Sequence, residues 1–478
     1  MKNLFLLVVF LMPVSILAQT VTVSEPISIR NDQAYEVLGK LKDRFLLYRD
    51  KANNDYEIQA FNEKLHQSWT KELEFEKKRA EVLGVIPNTD YFNIVYRFKV
   101  KGKTILKCNK YDAAANEIDS ATIFNCGNQF YPPDINIIRS EDKSKILLYS
   151  IERQTKIEVL CFDVKEMKLL WKNEFSPEDM AFRADFEQPL VTNNGELYYI
   201  LGKDNRKSTR EKHLYEVYYA DAETPQKKLS FFKVNMEEKM TFDLLFEYDN
   251  MNNNIVAGGL YSEKNRGKAV GYFFLKIPSQ NTEAYQLTFK PFEDKFVSDF
   301  LGKVVKENKG IPETVVKEII LRRDGGIIMI AERNKLLERT MTNVRRGGYI
   351  GDDGRGYIVD YQFEDMMVIS IHPDGQTHWG AILPKRQYSQ DDDAIYSSFF
   401  LLKTPTSLRL LFNDEIKYEN TVSEYVIRGN GEFDRNSVLS TFNQKLQLRF
   451  QDAVQIAANE LLIPSEHRNR LRLVKVAY

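Results

Sequence analysis

Eight short apolar runs recur along the chain, and they limit the fold more than any other feature. They are Phe45–Tyr48, Phe92–Tyr96, Ile146–Tyr149, Leu197–Ile200, Ile255–Ala257, Ile327–Ile330, Leu408–Phe412 and Leu461–Ile463. Their starts lie 47, 54, 51, 58, 72, 81 and 53 residues apart. Each run is too short for a helix and rich in β-branched or aromatic residues, so each reads as a buried strand. A hairpin follows. Tyr56–Phe61 leads through a polar turn to Trp69, Ile157–Asp163 to Trp171, and Met367–Ile371 to Trp379. Copies without Trp run from Cys108 to Phe124, Tyr215 to Phe232, Tyr272 to Phe289 and Tyr425 to Phe442. With one earlier strand in each gap, the unit has about four strands, and such units in series predict a β-propeller.

The expected fold is therefore all-β: a single propeller of eight four-stranded antiparallel blades. Seven is the alternative, because the two long spacings between 255 and 408 leave room for a miscount. The last unit ends on Leu471–Tyr478 with no hairpin strand after it, and Val21–Ile29 is an unpaired strand candidate. These two segments are expected to share a blade and close the ring.

Residues 1–18 read differently. Met1-Lys2-Asn3 is a short basic start, Leu4–Met12 is apolar, and Ala18 precedes Gln19. This is the pattern of a secretory signal cleaved after Ala18, and the apolar stretch is too short to span a bilayer. The mature protein, 19–478, is expected to be periplasmic or secreted, with no membrane span after cleavage. The 67 basic and 68 acidic residues balance, which argues against a nucleic-acid partner. Three cysteines exclude a disulfide scaffold. Cys108 and Cys161 read as buried thiols, with a Cys108–Cys126 bridge as the alternative.

The Trp-bearing hairpins resemble repeats of quinoprotein-like and outer-membrane-assembly propellers. Those repeats carry an Asp, a turn, a Lys and a Trp that docks between blades, matched here by Asp163, Lys168 and Trp171. Glu166-Met167 replaces the usual Thr-Gly of the turn. The adjacent cysteine pair of the quinone-dependent dehydrogenases is missing, so the resemblance implies architecture and no quinone. The chain as a whole resembles uncharacterised exported proteins of Bacteroidota.

Two insertions, 291–319 and 333–363, interrupt the repeat. In the first, Phe296, Val297, Phe300, Leu301, Val304 and Val305 form one helical stripe, predicting a helix near 294–309 from Asp294 to a stop at Gly310. It reads as packing against the propeller, or as a partner-binding element. The second is rich in Gly, Arg and Tyr, a composition suited to an adaptable recognition loop, with a mobile spacer or an extended hairpin tip as the alternatives. Its candidate binding residues are Arg345, Arg346, Tyr349, Asp352, Asp353, Arg355 and Tyr357.

Catalytic motifs are missing. There is no nucleophile elbow, P-loop, EF-hand pattern or paired-histidine metal motif. His372 and His378 flank a turn and are expected to approach each other, without a third metal ligand. Asp391–Asp393 reads as a solvated loop, with a calcium site as the alternative. Glu364 and Asp365 read as rim charges. The sequence thus favours a non-catalytic scaffold that binds an envelope or extracellular protein or glycan. The alternative is a glycan or ester hydrolase with carboxylates or calcium in the central funnel.

Overall fold

The structure is a computed structural model that describes residues 19–128, 131–153, 155–178, 180, 186–203, 213–225, 229–263, 267–305, 310–340, 349–350, 356–414, 416, 421–440 and 446–478. Residues 1–18, expected to be a signal segment, lie outside the described residues. Eight four-stranded antiparallel blades form a ring. Seven are continuous in sequence: 32–72, 81–128, 136–175, 187–235, 240–291, 314–383 and 400–440. The eighth combines Val454–Ala457, Glu460–His467 and Arg470–Ala477 with the N-terminal strand Thr20–Val23, which pairs Thr20 with Ala477. The expected closure by both ends of the chain is present.

Every one of the eight apolar runs forms the second strand of a blade. The reason is visible in blade 1. Leu46 and Tyr48 point into the seam with blade 2, while Phe45 and Leu47 point into the seam with blade 8. A strand buried on both faces is apolar without alternation. The core is accordingly divided into eight clusters, one per seam. In blade 5 the run shortens to Ile255–Ala257 because Gly258 and Gly259 follow. A Cβ at Gly258 would lie 2.8 Å from Ile327 of blade 6, so the seam there is set by close approach.

Tryptophans bridge the seams. Trp171 Nε1 donates to the Gly195 carbonyl of blade 4 at 2.8 Å, and Trp379 Nε1 to the Gly429 carbonyl of blade 7 at 3.0 Å. Asp163 Oδ1 accepts from the backbone N–H of Lys165 and Glu166, fixing the turn before Trp171.

The helix spans Asp294–Leu301, in the connection from blade 5 to blade 6. It stops at Gly302, not Gly310, because Gly302 takes a left-handed conformation and its N–H bonds the Asp299 carbonyl. Val297 and Phe300 are buried in the seam between blades 5 and 6, whereas Val304 is 96% exposed. The helix packs against the propeller. Gly310 has another role: a Cβ there would meet the Ala269 carbonyl at 2.8 Å.

Strand direction alternates within each blade. Connections between blades and turns joining second to third strands therefore share one end of the ring, the connection end. The remaining turns share the opposite end, the turn end.

Candidate functional site

Blade 6 departs most from its neighbours, and it does so at the connection end. Its second and third strands, Ile327–Thr340 and Gly356–Ile371, run well beyond the blade as a two-stranded arm. The inner strand Thr314–Leu321 supports this hairpin only as far as Arg333. Beyond it, the short strand Gln387–Gln390 folds back and pairs with 360–363. Asp360 holds the parts together. Its carboxylate receives the Arg339 guanidinium at 2.5 Å and the hydroxyl of Tyr388 at 2.7 Å. Arg339 holds the Asp360 carboxyl below the usual carboxylate range. Leu336, 57% exposed, Leu337 and Tyr388 give the arm an apolar surface facing solvent.

The predicted loop residues fall between 345 and 357 in the sequence, around the link between the two arm strands. Arg345, Arg346, Asp352, Asp353 and Arg355 fall outside the described residues. Tyr349 and Tyr357 are paired in backbone register in the arm. The flanks 334–340 and 357–363 pair as a continuation of the blade's own strands, so the extended hairpin, the alternative to a recognition loop, is present in this part of the insertion.

The arm's base rests on a buried ion pair. Lys385 Nζ lies 2.5 Å from Glu332 Oε1, both side chains fully buried. Lys385 also donates to Gln387 Oε1 at 2.6 Å, and the Ser398 hydroxyl donates to Glu332 Oε2 at 2.9 Å. Burial pushes Lys385 below the ordinary lysine range. Glu364 pairs with Arg333 at 2.7 Å, and Asp365 accepts the Lys385 backbone N–H at 2.9 Å. The Asp391–Asp393 run is anchored to the arm: Asp391 Oδ1 accepts the Val359 N–H at 2.8 Å, and Asp393 Oδ1 accepts the Tyr361 hydroxyl at 3.4 Å.

Also at the connection end, a cavity of about 630 Å³ lies where blade 8 meets blade 1. Arg449 Nη1 donates to Glu466 at 2.7 Å, and its Nε lies 2.5 Å from Asp452. The Tyr35 hydroxyl donates to Glu466 at 3.2 Å. The cavity's polar groups thus largely satisfy one another.

Glu36 lines the cavity and also faces the ring's centre, where its carboxylate is 4.0 Å from Arg139 of blade 3. Burial raises the Glu36 carboxyl, as it does others on the inner strands. Glu247 is pushed up to about 7 by burial, with Glu318 adding to the effect. Asp243 is pushed up to about 6 by burial, while its Oδ1 accepts the Val316 N–H at 2.8 Å. Lys403 pairs with Glu318 at 3.4 Å. A carboxyl near neutrality in a confined space can donate or accept a proton.

His372 and His378 do approach, with ring centroids 4.5 Å apart. Among the described residues no three His, Cys, Asp or Glu groups are placed to hold a metal ion. Cys108, Cys126 and Cys161 are all free thiols, and burial raises Cys108 and Cys161 to about 12. No helix of the described residues is long and apolar enough to cross a membrane.

No protein-family model matches the chain, and no curated protein matches it. Several solved structures are similar in fold. The WD40 domain of SCAP from fission yeast is 7% identical, with 96% of this chain and 94% of that one covered and a TM-score of 0.44. BamB from Moraxella catarrhalis is 11% identical, with 96% and 100% covered and a TM-score of 0.42. Prolyl oligopeptidase B from Galerina marginata is 10% identical, with 92% and 56% covered and a TM-score of 0.39. The likeness is one of fold, and by its own geometry the chain is an eight-bladed β-propeller.

Proposed function

We propose that the chain is an exported, non-catalytic scaffold of the cell envelope or exterior that binds a partner at its connection end, with the blade 6 arm as the gripping element. The arm is the single observation that carries this reading. A blade needs no strands of 14 and 16 residues, and exposing Leu336 and Leu337 costs solubility that a monomer has no reason to give up. Arg and Tyr in the sequence that links its strands suit a protein partner. Export rests on the pattern of residues 1–18.

The test is affinity capture from envelope extract. One bait is the mature chain. A second has 338–359 replaced by Asn-Gly, which joins the paired residues Leu337 and Asp360 through a two-residue hairpin. A third carries Leu336→Asp and Leu337→Asp. The reading expects a defined partner on the intact chain that both variants lose while keeping their melting temperature. Equal capture by all three baits would sink it.

A second reading rests on Glu247 and Glu318 in the channel: a glycan or ester hydrolase using a carboxyl poised near neutrality. It expects hydrolysis that Glu247→Gln abolishes. Hydrolysis that survives the substitution would exclude Glu247 as the proton-transfer group.

A further inference from the structure

At the turn end, opposite the arm, blades 4 and 5 face each other across a cleft of about 480 Å³. Its size falls in the range of small-molecule sites, roughly 300–1,000 Å³. Tyr219 and Phe232 are half-buried in its wall. Behind them Tyr198 packs on Tyr219 with centroids 5.1 Å apart and stacks on Tyr248 at 5.4 Å. The wall is therefore a supported aromatic surface.

The polar side is equally specific. Glu196 accepts the Thr192 hydroxyl at 2.8 Å, while the Tyr219 hydroxyl, 3.3 Å from Glu196, gives its proton to Asp221 at 2.8 Å. Among the described residues it has no ion-pair partner, in contrast to Glu332, Asp360 and Glu424. Among the described residues, no Lys or Arg lines the cleft. Asn194, Asn253 and Gln280 add amides, each carrying donors and an acceptor. The turns that carry these groups are tied together: the Asn193 N–H donates to Asn250 Oδ1 at 2.9 Å, and the Ser279 hydroxyl to the Asn253 carbonyl at 2.9 Å. A ligand would meet groups already in place, which lowers the ordering cost of binding.

From this arrangement we infer that the cleft is a subsite for a neutral saccharide. A pyranose presents a face of C–H groups that packs on aromatic rings, and hydroxyls that both donate and accept. The cleft offers an aromatic wall, a fixed carboxylate and amides. A phosphate or uronate would meet Glu196 with no cation among the described lining residues to offset it. A quaternary ammonium would leave the amide donors unused. The inference rests on the reading of the chain as a binding scaffold, but at a different end from the arm.

The experiment is calorimetric titration of the full mature chain with maltotriose, cellotriose and chitotriose, with choline as a cationic probe. Saturable binding of at least one trisaccharide is expected. Its affinity should fall at least about tenfold in Phe232→Ala and in Glu196→Gln, the loss of about 1.4 kcal/mol of contact. Asn194→Ala, in an exposed turn, covers the event that Phe232→Ala fails to fold. The Leu336→Asp, Leu337→Asp variant should bind the sugar unchanged, so failure of the arm leaves this site standing and the reverse. The inference is overturned if the folded chain saturates with none of the three sugars. It is equally overturned if Glu196→Gln and Asn194→Ala both bind as tightly as the native chain, or if choline alone binds.

Discussion

Lys385 and Glu332 are fully buried and satisfy each other across the base of the arm. Lys317, partly exposed and 3.9 Å from Glu332, is a weak second partner, so removing Lys385 leaves a poorly compensated charge in the seam between blades 6 and 7. Lys385→Met is therefore expected to cost about 3–5 kcal/mol, and Lys385→Met with Glu332→Leu to recover at least about 2 kcal/mol of that loss. Urea denaturation followed by tryptophan fluorescence reads both. Glu247 makes a pH-dependent contribution instead. Its carboxyl rises from 4.5 to about 7 on folding, so the fold favours the protonated form. Its share of stability is complete below 4.5 and is lost as pH rises through about 7. Glu247→Gln should raise the melting temperature at pH 8, by on the order of 2 kcal/mol in stability, and change it little at pH 4. An equal gain at both pH values would refute the assignment. Neither group stands out in the sequence. Lys385 and Glu332 are 53 positions apart, and Glu247 is one of 68 acids, so only the seam and the channel that enclose them reveal what they do.

Elements were legible where burial on both faces left an unbroken apolar run, which is why all eight second strands could be read from residues such as Phe45–Tyr48 and Leu461–Ile463. The inner strands were not, because they face solvent in the channel on one side and carry charges such as Glu36, Arg139 and Glu318. The arm read first as a loop, with an extended hairpin only as an alternative, for a related reason: with both faces open to solvent around Leu336 and Leu337, no hydrophobic alternation is imposed on it. The helix was found by its stripe but overextended, since Val304 and Val305 continue the spacing past the point where Gly302 reverses the backbone. That cap gives an element-scale prediction. Gly302 has φ of +62°, and a Cβ there would meet nothing within 4 Å. Gly302→Ala thus changes backbone strain and no contact, and should destabilise by about 1 kcal/mol. A loss several times larger would mean that the turn moves and pulls Phe300 out of its seam.

At the scale of the whole molecule, the ring is held shut by one strand. Thr20–Val23 pairs with Val474–Ala477, and the Ser24 N–H donates to the Leu473 carbonyl at 2.9 Å. Ile27 and Ile29 are buried in the seam between blades 8 and 1, and Val23 packs into the seam between blades 7 and 8. The segment therefore fastens two seams as well as completing a sheet. Cleavage after Ala18, the site expected from the sequence, would leave this strand whole. A chain beginning at Asn31 lacks the outer strand of blade 8 and three apolar anchors. At about 1.5–3 kcal/mol for each buried side chain, the loss should be on the order of 5 kcal/mol. Such a loss exposes Leu471 and Leu473 together with an unpaired strand edge, so the shortened chain should melt early and be cut by protease near its C-terminus. A synthetic peptide spanning 19–30 should restore both properties in a concentration-dependent way, because it can re-form the same ladder in trans. Restoration by a scrambled peptide of the same composition would show that the segment acts by covering apolar surface alone. A shortened chain as stable as the full one would show that the seven continuous blades and their seams hold the ring without the closing strand.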